Sequence, residues 1–164
     1  MSSREGFLVY KRILVPQDGS AFAERVLPHA IELARRFDAE IHLLEVIPTQ
    51  TPGLLAPELA VETEPVLALE VLEQVQEALR AAGRERLEGL VSQLERDGVH
   101  ATWRVVDGDP VPEIISYIEK NEIDLIAMAS HGRSGLARAI LGSVTDAVLR
   151  RGNRPMLVIP VRGD

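Results

Sequence analysis

Short, continuous apolar runs alternate along this chain with stretches of helical periodicity. Ile13-Leu14-Val15-Pro16 is too uninterrupted for a strand with one wet face, so both faces should be covered. Asp18-Gly19-Ser20 turns the chain, and Ala23, Leu27, Ala30, Ile31 and Ala34 then follow helical spacing. Pro28 interrupts that pattern; it removes one helical hydrogen bond and should kink the helix or delay its start. Residues 41–47 form the second apolar run, and about 48–65, with four prolines and Gly53, reads as a loop without periodicity. Leu69, Leu72, Val75, Leu79, Leu87, Leu90, Val91 and Leu94 then mark one long helical stripe. Gly83 and Gly89 each weaken it by about 1 kcal/mol relative to Ala, so a break near Gly83 is compatible with the pattern.

Strand three falls at 101–106. Asp109 is placed to cap the next helix, with Pro110 at its first position and Ile114, Ile115 and Ile118 on its buried face. Residues 125–128 and 156–161 give strands four and five, with a short helix over 144–151 between them. This alternation predicts an α/β fold: an open five-stranded parallel sheet, Rossmann-like, with helices on both faces and strand order 3-2-1-4-5. The expected organisation is one domain over 1–164, with 1–9 as a flexible N-terminal extension.

Composition narrows the function. With 4% aromatics, the core must be built mainly from Leu, Val, Ile and Ala. The absence of cysteine removes disulfides, thiol nucleophiles and cysteine metal sites. No apolar run approaches the roughly 20 residues of a membrane span, and no hydrophobic signal core follows the N-terminus. A net charge of -7 disfavours general nucleic-acid binding, which rests on Lys and Arg neutralising phosphates. The expectation is a soluble cytoplasmic protein without membrane or nucleic-acid partners.

Against that acidic background, 129–154 carries five arginines (Arg133, Arg138, Arg150, Arg151 and Arg154) and one acid, Asp146. The same stretch holds Ala129-Ser130-His131-Gly132 after strand four, and Gly142-Ser143-Val144-Thr145 at the start of the next helix. Glycines at a strand–helix junction let backbone N–H groups approach an anion, and the helix start adds the positive end of its dipole. Ser143 and Thr145 add hydroxyl donors. A second reading fits the same residues: Gly132 and Gly135 shape a turn, and Ser143 with Asp146 makes a capping-box-like helix start. In an open parallel sheet, ligands bind beyond the carboxyl ends of the strands where strand order reverses. With the order 3-2-1-4-5, the loops after strands one and four open onto one crevice, which favours the phosphate reading. No Gly-x4-Gly-Lys-Ser/Thr loop, Gly-x-Gly-x-x-Gly fingerprint or Gly-x-Ser-x-Gly turn is present.

From about Tyr10 to Val161 the chain resembles the universal stress protein A family. The match rests on Val15-Pro16-Gln17-Asp18-Gly19-Ser20, on Val106-Asp107-Gly108-Asp109-Pro110, and on Gly132 to Ser143 followed by Met156-Leu157-Val158-Ile159-Pro160. The nucleotide-binding branch of that family carries Gly-x2-Gly-x9-Gly-Ser/Thr. Gly132, Gly142 and Ser143 fit this spacing, whereas Ala129 stands where the first glycine belongs. The resemblance implies a site for ATP, or AMP or ADP. Pro16 and Asp18 close strand one, with Asp18 by the ribose and adenine, and Val46 meets adenine through its backbone. Gly132, Gly142, Ser143 and Val144 surround the phosphates with Thr145 nearby, and Ala129, His131 and Arg133 complete the loop. His131 suits either a phosphate contact or a capping role. His29, His42 and His100 lack ligand spacing and are expected at the surface. Mg²⁺ would accompany a triphosphate, with Asp18 as its water-mediated carboxylate or simply as a turn residue.

The resemblance also implies a homodimer through the edge strand 156–161, bounded by Pro155 and Pro160. The expected function is a nucleotide-occupancy switch read by a signalling partner, with weak ATP hydrolysis at most, because no base or nucleophile stands out. Two alternatives remain: a dimeric stress protein that binds no nucleotide, and an enzyme that transfers phosphoryl or adenylyl groups.

Overall fold

The computed structural model describes residues 9–49, 65–132 and 141–162. Its strands are β1 (Arg12–Gln17), β2 (Glu40–Ile47), β3 (Ala101–Asp107), β4 (Leu125–Gly132) and β5 (Met156–Arg162). All neighbouring pairs are parallel, in the order β3-β2-β1-β4-β5. The helices are α1 (Ala21–Glu24), α2 (Leu27–Phe37), α3 (Pro65–Arg96), α4 (Pro110–Lys120) and α5 (Ser143–Arg151).

The apolar runs are explained by what each strand face meets. Successive side chains on a strand point to opposite faces, and here both faces are covered. Ile13, Val15, Ile41, Leu43, Leu125 and Ala127 pack with Val26, Ala30 and Ala34 beside α1 and α2 and with Leu87 and Leu94 of α3. Leu14, Leu44, Ile126 and Met128 pack on the other face with Ile114, Tyr117 and Ile118 of α4 and Val148 of α5.

Pro28 delays its helix as expected. Ser20 caps α1, its Oγ accepting from the Ala23 amide at 3.1 Å, but α1 ends after one turn. α2 begins afresh at Leu27, with Pro28 in its first turn where a missing N–H costs nothing. Asp109 takes the N-cap position of α4 in extended conformation, but its side chain makes no capping hydrogen bond.

Gly83 does not break the long helix. α3 runs unbroken from Pro65 to Arg96, and Gly83 is buried within it. A Cβ there would lie 3.3 Å from the Glu45 carboxylate and 3.4 Å from Val105, so the glycine lets the helix approach the sheet. The apolar stripe divides between the two halves of the helix. Leu87 and Leu94 are buried, whereas Leu69 and Leu79, also expected in the core, are exposed. The predicted loop over 48–65 lies almost wholly outside the described residues.

β4 is longer than its apolar run. Ser130, His131 and Gly132, expected in a loop, continue the strand opposite Pro160, Val161 and Arg162. β5 runs through Pro160 to Arg162, one residue past the expected 156–161, and an edge strand tolerates the proline.

Candidate functional site: the cleft between β1 and β4

The sheet splits where its order reverses. β1 pairs with β4 only at Ile13↔Leu125 and Leu14↔Ile126, while β1 continues beside β2 to Gln17↔Glu45. β4 continues beside β5 to Gly132↔Arg162. The carboxyl halves of the two central strands therefore part, and a cleft of about 260 Å³ opens between them. This lies just below the range of about 300–1,000 Å³ typical of small-molecule sites.

The sequence-predicted residues converge there. Pro16 and Asp18 come from the end of β1, Val46 from β2, Ala129 from β4, and Gly142, Ser143, Val144 and Thr145 from the start of α5. His131 and Gly132 are described only as backbone of β4, and Arg133 lies outside the described residues. The walls also include Leu44, Met128 and Ile114, which the motif search did not single out. Leu44, Val46 and Met128 occupy even positions of their strands and share the face covered by α4 and α5, so strand alternation was the available signal. Gln17 at the end of β1, Phe22 and Ala23 of α1, and Pro110 at the start of α4 complete the lining. The lining is thus part apolar and part polar.

The polar part is the start of α5. Gly142 is the N-cap and makes no side-chain capping bond; Ser143 is the first helical residue and exposed. The capping-box reading therefore fails, because Ser143 lies inside the helix. The first amides of a helix have no intrahelical acceptor, so those of Ser143, Val144 and Thr145 present N–H groups at the cleft. Val144 turns its side chain into the core. Thr145 is 5% exposed and its hydroxyl donates to the Ala129 carbonyl at 3.4 Å, so it is not a free donor toward the cleft.

Asp18 is exposed, and its Oδ1 accepts from the Ser20 amide at 3.0 Å and from Ser20 Oγ at 2.6 Å. It is the sole acid lining the cleft among the described residues. No group of three or more His, Asp or Glu suited to a metal occurs among those residues.

The arginine excess is redistributed by the fold. Arg150 and Arg151 occupy the last turn of α5, where they complement the helix dipole away from the cleft. Arg150 Nε bonds Asp146 at 2.9 Å and holds that carboxyl below its ordinary range. Arg154 donates to the Ile123 carbonyl at 2.7 Å, near the opposite, amino end of β4. Three of the five arginines thus stand apart from the site; Arg133 and Arg138 are outside the described residues. His42, expected at the surface, is 6% exposed, with Nδ1 3.0 Å from the Tyr117 hydroxyl. No described helix is long and apolar enough to cross a membrane.

Comparison with known proteins agrees with this architecture. The sequence model of the universal stress protein family matches residues 9–160. Universal stress protein MJ0531 of Methanocaldococcus jannaschii is 33% identical over 95% of this chain and 85% of its own length. The solved structure of MJ0577 from the same organism superposes with a TM-score of 0.73 at 30% identity, covering 95% of this chain and 99% of the other. An Arabidopsis thaliana universal stress protein family member solved with AMP bound shares the fold, with a TM-score of 0.63 at 19% identity over 94% of this chain and 92% of its own. A parallel sheet in this order, split between β1 and β4 and matched to the family along nearly its whole length, belongs to the universal stress protein family.

Proposed function

We propose that this universal stress protein binds an adenine nucleotide in the β1/β4 cleft and acts as an occupancy switch. The observation that carries the reading is the start of α5, where uncapped amides of Ser143, Val144 and Thr145 and the Ser143 hydroxyl face a cleft with apolar walls. Helix N-termini of this kind favour phosphate through their free N–H groups and dipole. Leu44, Val46, Ile114 and Met128 offer the apolar surface that a purine requires. Asp18 at the rim accepts from a ribose hydroxyl through Oδ2, since Oδ1 is engaged by Ser20.

The AMP-bound Arabidopsis relative supports adenine as the base. The residues present also suit Mg²⁺, which usually binds one or two carboxylates plus substrate phosphates. Asp18 would be the protein carboxylate, acting through a bridging water because its oxygens serve Ser20 and the ribose, and the ion would neutralise phosphate charge in an acidic protein.

Among the described lining residues there is no His or Lys to act as a general base, and the one carboxylate, Asp18, is engaged by Ser20 through Oδ1 and assigned to the ribose through Oδ2. Binding rather than turnover is therefore the proposed role, with occupancy altering a surface that a signalling partner reads. Titration calorimetry with ATP and Mg²⁺ tests this, together with mass spectrometry of ligand released from freshly purified protein. Saturable binding is expected, and no heat of binding at millimolar ATP would overturn the proposal.

A further inference from the structure

Arg86 projects from α3 on the sheet face opposite α4 and α5, yet it touches the turn that forms the rim of the cleft. On β2, Ile41 and Leu43 face that side, and Glu45 follows them in the alternation. Glu45 is 4% exposed, and its carboxylate is held by the Arg86 guanidinium through Nε to Oε2 at 3.3 Å and through Nη2 to Oε1. Gly83, on α3 just before Arg86, leaves room for this carboxylate. Two-point contact with a carboxylate fixed on a strand sets the plane of the guanidinium, which a lysine ammonium cannot reproduce.

The other neighbour of that guanidinium is Gly19. A Cβ built on Gly19 would lie 2.8 Å from Arg86 Cζ and 2.9 Å from Nη2, so the turn backbone rests against it. Gly19 also has φ 77°, a left-handed conformation that glycine adopts readily. On either side of it, Ser20 donates to Asp18 Oδ1 and caps α1 through Ala23. Asp18 and Ala23 both line the cleft, whereas Arg86 does not.

We infer that Arg86, oriented by Glu45, is a positioning residue that supports the Asp18–Gly19–Ser20 turn in the geometry the cleft's ligand meets. The identity of that ligand rests on the nucleotide reading above; support of the turn does not.

Two variants test it. Arg86→Lys keeps a cation for Glu45 and removes the plane beneath Gly19. Arg86→Met combined with Glu45→Gln removes both charges, so no buried carboxylate is left unpaired. Amide hydrogen exchange at Ser20 is compared with that at Val15 in the core, and ATP affinity is measured on the same samples. In both variants Ser20 exchange should quicken on the order of tenfold relative to Val15, as expected of local opening. ATP affinity should fall by roughly two- to thirtyfold, the range of such indirect couplings. Unchanged Ser20 exchange in both variants would overturn the inference, as would faster exchange that left ATP affinity at the wild-type value. Wild-type protein that binds no nucleotide would remove the proposed function alone, and Ser20 exchange would still decide the role of Arg86.

Discussion

The Thr145 hydroxyl donates to the Ala129 carbonyl across 3.4 Å and ties the first turn of α5 to β4. Of the two hydroxyls that the sequence places near a phosphate, one is thus committed to the protein while the other, on Ser143, is exposed. Their substitutions should separate. Ser143→Ala is expected to lower ATP affinity by roughly ten- to a hundredfold, the loss of a hydrogen bond to a charged group worth about 1.5–3 kcal/mol. Thr145→Val should change affinity by less than about tenfold and instead cost about 1 kcal/mol of stability. Calorimetric titrations in which Thr145→Val is the more damaging change would reverse this assignment of roles.

Ala129 stands where the nucleotide-binding branch of the family has glycine. It lies within β4 opposite Ile159, and the described non-glycine residues with positive φ are Asp38, Glu122 and Asn153. Ala129 therefore needs no glycine-only backbone. Ala129→Gly should change ATP affinity by less than about tenfold, or 1.4 kcal/mol. A far larger gain on titration would mean that the methyl group blocks the ligand, and would favour a family member that binds no nucleotide.

β5 lies at the edge of the sheet, with unpaired backbone groups on its outer side among the described residues. We expect it to pair with its twin across a two-fold axis, the usual symmetry of soluble dimers. Leu157 and Ile159 pack into the core of their own chain, so Val158 is the cleaner probe. Val158→Asp should bring like charges together at the axis and shift the protein to monomers in multi-angle light scattering. A wild type that is monomeric at tens of micromolar would eliminate this dimer.

His42 should make stability depend on pH. Burial lowers its pKa from 6.5, as does Arg12, while the Glu40 and Asp124 carboxylates oppose the shift. Its Nε2 lies 3.4 Å from Glu40 Oε2 without hydrogen-bond geometry, and Nδ1 meets the Tyr117 hydroxyl. Protons then bind the unfolded chain more readily than the folded one. The contribution is complete above about pH 6.5 and is lost as pH falls from there through the lower folded value. Thermal midpoints should drop with acidification in that window. His42→Gln should flatten the slope, and Glu40→Gln should enlarge the total loss. An identical pH profile for wild type and His42→Gln would contradict this assignment.

Much of the architecture was legible because its signals are local. A parallel strand covered on both faces must be apolar along its length, and Ile13-Leu14-Val15 and Leu125-Ile126-Ala127-Met128 announce themselves by that rule. Pro28 and Pro110 mark helix starts because the missing N–H is harmless only in a first turn. Pro16, Asp18, Val46, Ala129 and the residues from Gly142 to Thr145 line one cleft, since strand ends at the point of order reversal must share one crevice.

What required the tertiary structure is whatever depends on a partner distant in sequence. The end of β4 is set by hydrogen bonding to β5, so polar Ser130 and His131 belong to a strand. Arg150, Arg151 and Arg154, close in sequence to the glycine pattern, do not reach the cleft, because α5 carries Arg150 and Arg151 to its far end and Arg154 lies beyond it. Gly83 looks like a helix breaker until Glu45 is seen against it, and the Glu45–Arg86 pair joins residues 41 positions apart. His42 and Glu45 gave no sign of burial, because a polar residue inside an apolar strand reveals its fate only through the helix that covers it. Periodicity along the chain reports which faces turn inward; only the packed structure determines what each buried polar group finds there.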